Sequence, residues 1–212
     1  MRPHLFNSNI ADENSYLFSS GKEAMIVDPG FNGESLLNFI EPLGLKITKV
    51  LLTHGHYDHI RDIRLLAKKH TFTIYIHDQD VPMLSNANLS YATHFGGSFQ
   101  LTKDQSVQVL KDGDTISFGD EVIDVIHTPG HTAGSVCYLL KPYLFSGDTL
   151  FKRAFGRTDL ASGSAKDMQE SIKKLFERVH KDIYIYPGHD KTSRMSEELE
   201  HNLMVRTYMK HK

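Results

Sequence analysis

The chain has 212 residues, a formal net charge of −2 and a hydrophobic fraction of 40%. This length and composition predict one globular domain spanning residues 1–212. The charge gives no electrostatic reason to bind nucleic acid or an anionic membrane, and no run approaches the roughly 20 apolar residues that cross a bilayer. The amino end lacks the apolar core of a secretory signal, so we expect a cytoplasmic protein without nucleic-acid or membrane partners.

Apolar runs alternate with amphipathic segments in the first half of the chain. AMIVD precedes SLLNFIEPL, KVLLTH precedes DHIRDIRLLAKKH, and FTIYIH precedes DQDVPML. This alternation predicts the strands and helices of an α/β protein. In DHIRDIRLLAKKH the apolar residues fall at helical spacing, which predicts one helix with Asp58 as its N-cap.

Strand-like runs dominate the second half. Residues 85–103 contain many turn formers and predict a loop. SVQVL, TISF, VIDVIHT, SVCYLL and YLFSGD follow at a spacing that predicts a meandering sheet. A helix from Ala165 to Val179, a strand in DIYIYPGH and a helix from Ser196 to Tyr208 complete the predicted elements. The single cysteine, Cys137, lies in an apolar run and is predicted to be buried.

Four predicted strands end in short turns that contain glycine together with histidine or aspartate. KVLL ends in THGHYDH, VIDVIHT in PGH, YLF in SGD, and DIYIY in PGH. One such turn is usually only a polar surface turn, but four of them indicate strand ends that converge on one sheet edge. The candidate ligands in these turns are His54, His56, Asp58, His59, His131, Asp148 and His189.

The donor types indicate the kind of metal. Imidazole and carboxylate groups without a cysteine cluster suit zinc, iron, manganese or cobalt and argue against a structural zinc finger. One glycine separates His54 from His56, so both rings can point to the same side of an extended turn. Seven donors are enough for two divalent metal ions with open positions for water and substrate.

The order and spacing of THGHYDH, PGHTAGS, SGDTLF and YPGH resemble those of the metallo-β-lactamase-fold hydrolases over nearly the whole chain. The resemblance implies a mixed α/β (α+β) fold, a four-layer αββα sandwich with the metal site at one edge between two sheets. It also implies a ligand assignment: one metal ion on His54, His56 and His131, the second on Asp58, His59 and His189, and Asp148 bridging them.

FGRTDL after SGDTLF is similar to the glyoxalase II group and its small single-domain relatives. This similarity implies hydrolysis of a small-molecule thioester with two divalent ions, Zn²⁺ in the first place and iron or manganese as alternatives. Asp58 would be the catalytic residue that orients the attacking water. The short stretch after His189 has room for one helix, so we do not expect the additional helical domain that binds glutathione in many members. Homo-oligomerisation stays open.

Three other functions are compatible with these motifs. Persulfide dioxygenases share the fold and a similar GRTD segment but use one iron bound by two histidines and an aspartate. Ribonuclease Z also contains an HxHxDH motif, although the charge of this chain gives a nuclease or phosphodiesterase little support. A non-catalytic metal-binding module would not need open coordination positions.

Several further residues are candidates for the surroundings of the site. Arg153 and Arg157 are predicted to bind an anionic substrate group, with an Arg157–Asp159 ion pair as the alternative. Asp28, after an early strand, is predicted to orient a ligand histidine or to form a turn. The candidate pocket residues are Tyr57, Tyr91, His94 and Phe95, although for His94 a surface position is favoured. The histidines outside the motifs, His127 among them, are predicted to be surface or core residues.

Overall fold

The computed structural model of the chain describes residues 2–101 and 105–210. Its first sheet has six strands in the spatial order β1 (His4–Asn7), β2 (Asn14–Ser20), β3 (Glu23–Val27), β4 (Lys46–Leu51), β5 (Thr73–His77) and β6 (Ser106–Leu110). β1 to β3 are antiparallel, whereas β3 to β6 are parallel. The parallel strands therefore bring the ends of β3 and β4 to the same edge.

The second sheet also has six strands, β7 (Thr115–Phe118), β8 (Glu121–His127), β9 (Val136–Leu140), β10 (Tyr143–Gly147), β11 (Tyr184–Pro187) and β12 (Ser193–Arg194). They run from β12 to β7 in space. β7 to β10 form the predicted antiparallel meander, and β11 lies parallel to β10. The prediction was wrong for SVQVL, because this strand, β6, pairs with β5 in the first sheet. Turn spacing alone does not identify a strand's partner.

In the part of the chain that the structure describes, six α-helices cover the two sheets: α1 (Gly33–Leu43), α2 (Tyr57–Ile60), α3 (Ile63–Leu66), α4 (Ala165–Arg178), α5 (Met195–His201) and α6 (Leu203–Lys210). The predicted helix at 165–179 is confirmed as α4, whose Ser164 hydroxyl accepts a capping bond from the Asp167 N–H. The predicted loop contains a short 3₁₀ helix, Ala92–Phe95, and its positions 102 and 103 lie outside the described residues. Within 2–101 and 105–210, no helix is long and apolar enough to span a bilayer.

The helix predicted after Asp58 is divided. α2 and α3 are separate short helices, and the N-cap position of α2 belongs to His56, so Asp58 lies in the first turn and the N-cap prediction was wrong. Between the two helices, the Asp62 carboxylate accepts a bond of 2.7 Å from the Gly33 N–H at the start of α1. This tertiary contact has no signature in the local hydrophobic pattern.

Three separate apolar cores define four layers. The first contains side chains of β2 to β5 with α1 to α3, the second joins the inner faces of both sheets, and the third packs β8 to β11 against α4 to α6. Strand alternation separates them: in β9, Tyr138 belongs to the second core, whereas Cys137 and Leu139 belong to the third. The αββα prediction is confirmed. The predicted burial of Cys137 is also confirmed, and this burial raises the pKa of its thiol to about 11.

Candidate metal centre

The motif-bearing turns meet at one edge of the sandwich. β4 leads into residues 53–60, the β8–β9 hairpin contains residues 128–135, and β10 and β11 end side by side. The β10–β11 register pairs Gly147 with Pro187, which makes Asp148 and His189 neighbours in space. Although the seven candidate ligands come from four separate turns of the chain, they therefore lie in one cluster.

Ligand atoms in this cluster form three overlapping triplets, with all atoms of a triplet within 4.8 Å of one another. His56 Nδ1 lies 2.9 Å from His131 Nε2. Asp148 Oδ2 lies 3.4 Å from His131 Nε2 and 3.6 Å from His189 Nε2, so it stands between the two ends of the cluster. The triplets are His54, His56 and His131; His54, His59 and Asp148; and Asp58, His59 and His189. The first and third equal the two sets implied by the family resemblance.

The buried atoms of the cluster fit bound cations. His54 Nε2, His56 Nε2 and Asp148 Oδ1 are buried among protein atoms and have no hydrogen-bond partner there. Leaving a buried polar atom unpaired costs about 1–3 kcal/mol, so several at one place need an explanation. Imidazole nitrogens and carboxylate oxygens are the donors that zinc, iron and manganese accept. The donor set fits divalent metal ions, and the donor types alone do not distinguish zinc from iron.

Asp28 connects both ends of the centre. Its Oδ2 lies 3.2 Å from His59 Nδ1 and accepts a 2.6 Å bond from the Thr53 hydroxyl, while Oδ1 accepts from the Thr53 N–H at 2.8 Å. Because the Thr53 hydroxyl has one proton and gives it to Asp28, its oxygen is left to accept from His54 Nδ1, 3.1 Å away. Asp28 is thus placed to orient one histidine of each end, as its predicted role requires.

Backbone carbonyls orient two further histidines. His131 Nδ1 lies 2.8 Å from the carbonyl oxygen of Arg157, and His189 Nδ1 lies 3.1 Å from that of Asp12. Nδ1–H donates in each case, so Nε2 is the ring nitrogen that faces the cluster and is left for a metal ion. The protein therefore fixes the tautomer of each ring through groups outside the cluster.

The two ends of the centre differ in their titration. Burial lowers the pKa of His54 well below its ordinary value and lowers the pKa of His56 to about 3. Burial also opposes a charge on His189, but the carboxylates of Asp148 and Asp58 outweigh it and raise its pKa to about 9. His54 and His56 are thus neutral imidazoles ready to ligate, while the carboxylates beside His189 favour a positive charge at the other end.

A cavity of about 530 Å³ opens above the cluster. Tyr91, Phe95, Phe151 and Leu160 give it an apolar wall, and His94 lies beside them. His94 is exposed and also lines the cavity, so the surface assignment favoured for it describes only half of its position. A cavity with a polar floor and an apolar wall suits a small organic substrate.

Of the three residues predicted to contact substrate, Arg157 lines this cavity, whereas Tyr57 and Arg153 do not. Arg157 lines the cavity, but its guanidinium forms two bonds with Asp159, of 2.7 and 2.8 Å, which is the ion-pair alternative. Tyr57 does not line this cavity, because it is buried in the first core and packs behind Phe95. Arg153 does not line it either: it lies in the tight turn between Phe151 and Ala154, and its N–H donates to Glu198.

One residue close to the centre was missed. Asp80 follows β5, is fully buried and accepts bonds from Gly55, Thr132 and Gly134, which lie in two of the ligand turns. The DQD segment was assigned only to a short amphipathic element, since two acids after a strand resemble a solvated helix start. The signal available was that Asp80 follows a strand, as the ligand motifs do. His127, also outside the motifs, stacks on His77 with ring centroids 3.9 Å apart.

Fold and site together define a metallo-hydrolase. Residues 11–189 match the metallo-beta-lactamase superfamily, and the chain belongs to this family. The probable polyketide biosynthesis zinc-dependent hydrolase BaeB of Bacillus velezensis is 30% identical over 189 residues, which cover 89% of this chain and 77% of BaeB. The family predicted from the four motifs is confirmed.

Solved structures show the same likeness. BLEG-1, a B3 metallo-beta-lactamase, superposes with a TM-score of 0.88 and is 28% identical in sequence. The match covers 96% of this chain and 99% of BLEG-1. TTHA1623 in a di-iron-bound form superposes with a TM-score of 0.82 and is 29% identical in sequence. The match covers 94% of this chain and 98% of TTHA1623. ETHE1 from Myxococcus xanthus superposes with a TM-score of 0.79 and is 28% identical in sequence. The match covers 98% of this chain and 85% of ETHE1. Among these relatives BaeB is described with zinc and TTHA1623 with iron, so the metal differs between the two whose names state one.

Proposed function

We propose that this protein is a metal-dependent hydrolase of small-molecule thioesters, similar to glyoxalase II, and that its two divalent ions are Zn²⁺. The observation that supports it is the pair of ligand triplets, with unpaired His54 Nε2 and Asp148 Oδ1, at the floor of a cavity with an apolar wall. The apolar wall suits an acyl group, and the floor suits a carbonyl that is attacked by water. We also propose that nucleic acid and membranes are not partners.

The chain's own groups prepare a water molecule for attack. When bound, a pair of divalent ions would polarise the carbonyl and lower the pKa of a shared water towards about 7. His59 and His189 outweigh the effect of burial and hold the pKa of the Asp58 carboxyl well below its ordinary value, so it is ionised at neutral pH. An ionised Asp58 accepts a hydrogen bond from the water and so directs the water's lone pair towards the cavity. A thiolate, whose parent pKa is about 8.5, then leaves without an obligatory acid.

Thiol release from a panel of substrates tests this proposal. The zinc-loaded protein is incubated with S-lactoylglutathione, coenzyme A thioesters and a simple aryl thioester, and free thiol is measured. We expect turnover of at least one, and a loss of about 10²–10⁴-fold in kcat on Asp58→Asn. Asp120→Asn changes an exposed carboxylate in the β7–β8 turn and serves as the matched control. The proposal fails if no member of the panel is hydrolysed.

An iron-dependent persulfide dioxygenase is the second candidate. The similarity to ETHE1 and to a di-iron-bound structure favours it, as does the placement of His54 and His131 beside Asp148. Metal analysis of protein purified without added metal, with oxygen uptake measured on glutathione persulfide, separates the two functions. About two zinc ions per chain and no oxygen uptake would eliminate the dioxygenase, whereas one iron with uptake would replace the first proposal.

A further inference from the structure

Asp80 joins two of the turns that carry metal-ligand candidates. Its Oδ2 accepts from the Gly55 N–H at 3.0 Å and from the Thr132 hydroxyl at 2.7 Å, and its Oδ1 accepts from the Gly134 N–H at 2.9 Å. Gly55 separates His54 from His56, while Thr132 follows His131. One fully buried carboxylate therefore connects the segments that carry all three histidines of the first triplet.

Close packing leaves this connection little freedom. A Cβ atom on Gly134 would lie 2.6 Å from the Asp80 carboxylate carbon, and one on Gly55 would lie 2.6 Å from Met83. Both distances are shorter than real Cβ contacts, so the two turns approach Asp80 and its 3₁₀ helix, Asp78–Leu84, as closely as backbone allows. A shift of the carboxylate would move both turns.

A different residue supports the opposite end of the centre. Asn14, at the start of β2, donates from Nδ2 to the carbonyl oxygens of Pro187 at 3.1 Å and Asp190 at 2.9 Å. Its N–H also donates to the Gly188 carbonyl at 2.8 Å. These three bonds hold the backbone on both sides of His189. Among the described residues, the hydrogen bonds of the Asn14 side chain reach neither of the turns that Asp80 connects.

We propose that Asp80 and Asn14 are positioning residues for different halves of the centre. Asp80 sets the spacing of His54, His56 and His131, and Asn14 sets the position of His189. The affinity of each metal site can therefore be changed without the other. This inference rests on the proposed two-metal centre, but it concerns metal binding alone and makes no use of the thioester substrate.

Two isosteric substitutions test it. Asp80→Asn keeps one acceptor oxygen but must turn its NH₂ group towards the N–H of either Gly55 or Gly134, and Asn14→Asp presents an oxygen to two carbonyls. Each therefore replaces an attraction by a repulsion without changing volume. Asp62→Asn is the matched control, since Asp62 is also buried and accepts from the Gly33 N–H, but braces α1 instead of a ligand turn. Circular dichroism and the melting temperature of the metal-free proteins show whether each variant folds.

Zinc affinity is measured by chelator competition in two backgrounds. His189→Ala breaks the third triplet and keeps the first, whereas His56→Ala breaks the first and keeps the third; the triplet of His54, His59 and Asp148 is present in both backgrounds. We expect Asp80→Asn to weaken zinc binding by about 10–100-fold in the first background and by less than about threefold in the second. Asn14→Asp should change only the second background, and Asp62→Asn neither. Equal losses in both backgrounds, or none, would overturn the proposal.

A second readout covers the case in which a background variant does not fold. Each positioning variant, with all seven ligands present, is dialysed against a graded series of chelator concentrations, and bound zinc is counted per chain. We expect Asp80→Asn and Asn14→Asp each to lose one ion early and retain the other, and the double variant to lose both. Loss of both ions together in either single variant contradicts separate support. Failure of thioester turnover would leave this result unaffected.

Discussion

At the scale of single residues, Asp28 has the widest influence on the candidate centre. Its carboxylate accepts one hydrogen bond from the Thr53 N–H, a second from the Thr53 hydroxyl and a third from His59 Nδ1. Every partner is a donor, so both carboxylate oxygens act as acceptors. Through Thr53 the same carboxylate fixes the ring of His54. The sequence offered two roles for Asp28, in a turn or in orienting a ligand. The geometry supports both, because its φ of 50° also forms a left-handed bend.

Asp28→Asn is expected to weaken metal binding at both sites. The amide must keep one oxygen towards the Thr53 N–H, which turns its NH₂ group towards two other donors. We expect zinc affinity to fall by about 10–100-fold per site. Calorimetric titration with zinc measures this, and Asp62→Asn is the control for loss of a buried carboxylate elsewhere. Unchanged affinity at both sites would show that the ring orientations do not depend on Asp28.

Glu13 predicts a pH dependence of the stability of the metal-free protein. Burial raises the pKa of its carboxyl to about 8, against opposing effects of which the nearby His59 is the largest. The Ser15 hydroxyl donates to the Asp28 carbonyl, so a protonated Glu13 can donate to the Ser15 oxygen, while Asn32 donates to the other carboxyl oxygen. The folded state thus binds this proton more tightly than the unfolded chain, whose ordinary pKa is 4.5.

For that reason the contribution of Glu13 to stability is full below about pH 4.5 and is lost as pH rises towards about 8. Glu13→Gln keeps the shape, and its NH₂ group can donate where the acid proton did. We expect this variant to show a smaller decrease in the free energy of unfolding between pH 5 and pH 8. Urea unfolding at several pH values, with chelator present in all samples, measures it. Identical pH profiles for both proteins would contradict a protonated Glu13.

At the scale of elements, the carboxy-terminal helix shows why a helical pattern was only partly sufficient. The sequence predicts one helix from Ser196 to Tyr208, but the structure has α5 and α6 with a break at Asn202. Asn202 is fully buried, and its side-chain oxygen accepts from the N–H groups of Met204 and Val205. Its Nδ2 donates to Glu198. Asn has a moderate helix propensity, so propensity alone does not reveal that it caps a second helix.

Asn202→Ala is therefore expected to destabilise the protein. It removes the cap of α6 and leaves the buried Glu198 side chain without one of its donors, for a combined cost of about 1–3 kcal/mol in the free energy of unfolding. Urea unfolding measures the loss. Thr207→Ala, which removes an exposed hydroxyl within α6, is the matched control. A greater stability of Asn202→Ala would show that the continuous helix predicted from the sequence is also accessible to the chain.

At the scale of the whole molecule, the sequence predicts the layers and the grouping of the candidate ligands better than the pocket. Strand-end motifs are local, and parallel neighbours such as β10 and β11 bring them together by a regular rule. The cavity wall depends instead on how loops pack. Tyr57 and Asp58 are adjacent in sequence, yet Tyr57 is buried behind Phe95 while Asp58 faces the cavity. A local pattern does not distinguish these positions, nor does it show that Arg157 is paired with Asp159.

The candidate centre also connects the two sheets, so metal removal is expected to affect the stability of the whole fold. His54, His56, Asp58 and His59 follow a strand of the first sheet, while His131, Asp148 and His189 follow strands of the second. A cation held by both sets binds the folded chain and not the unfolded one. It therefore stabilises the fold by about 2.7 kcal/mol for each site at a free concentration 100 times Kd.

We expect the melting temperature to rise with free zinc concentration and to fall on addition of chelator. His94→Ala, a cavity residue outside the triplets, should keep this dependence, whereas His131→Ala should lose part of it. A melting temperature that is the same with excess zinc and with chelator would contradict a metal centre shared between the sheets.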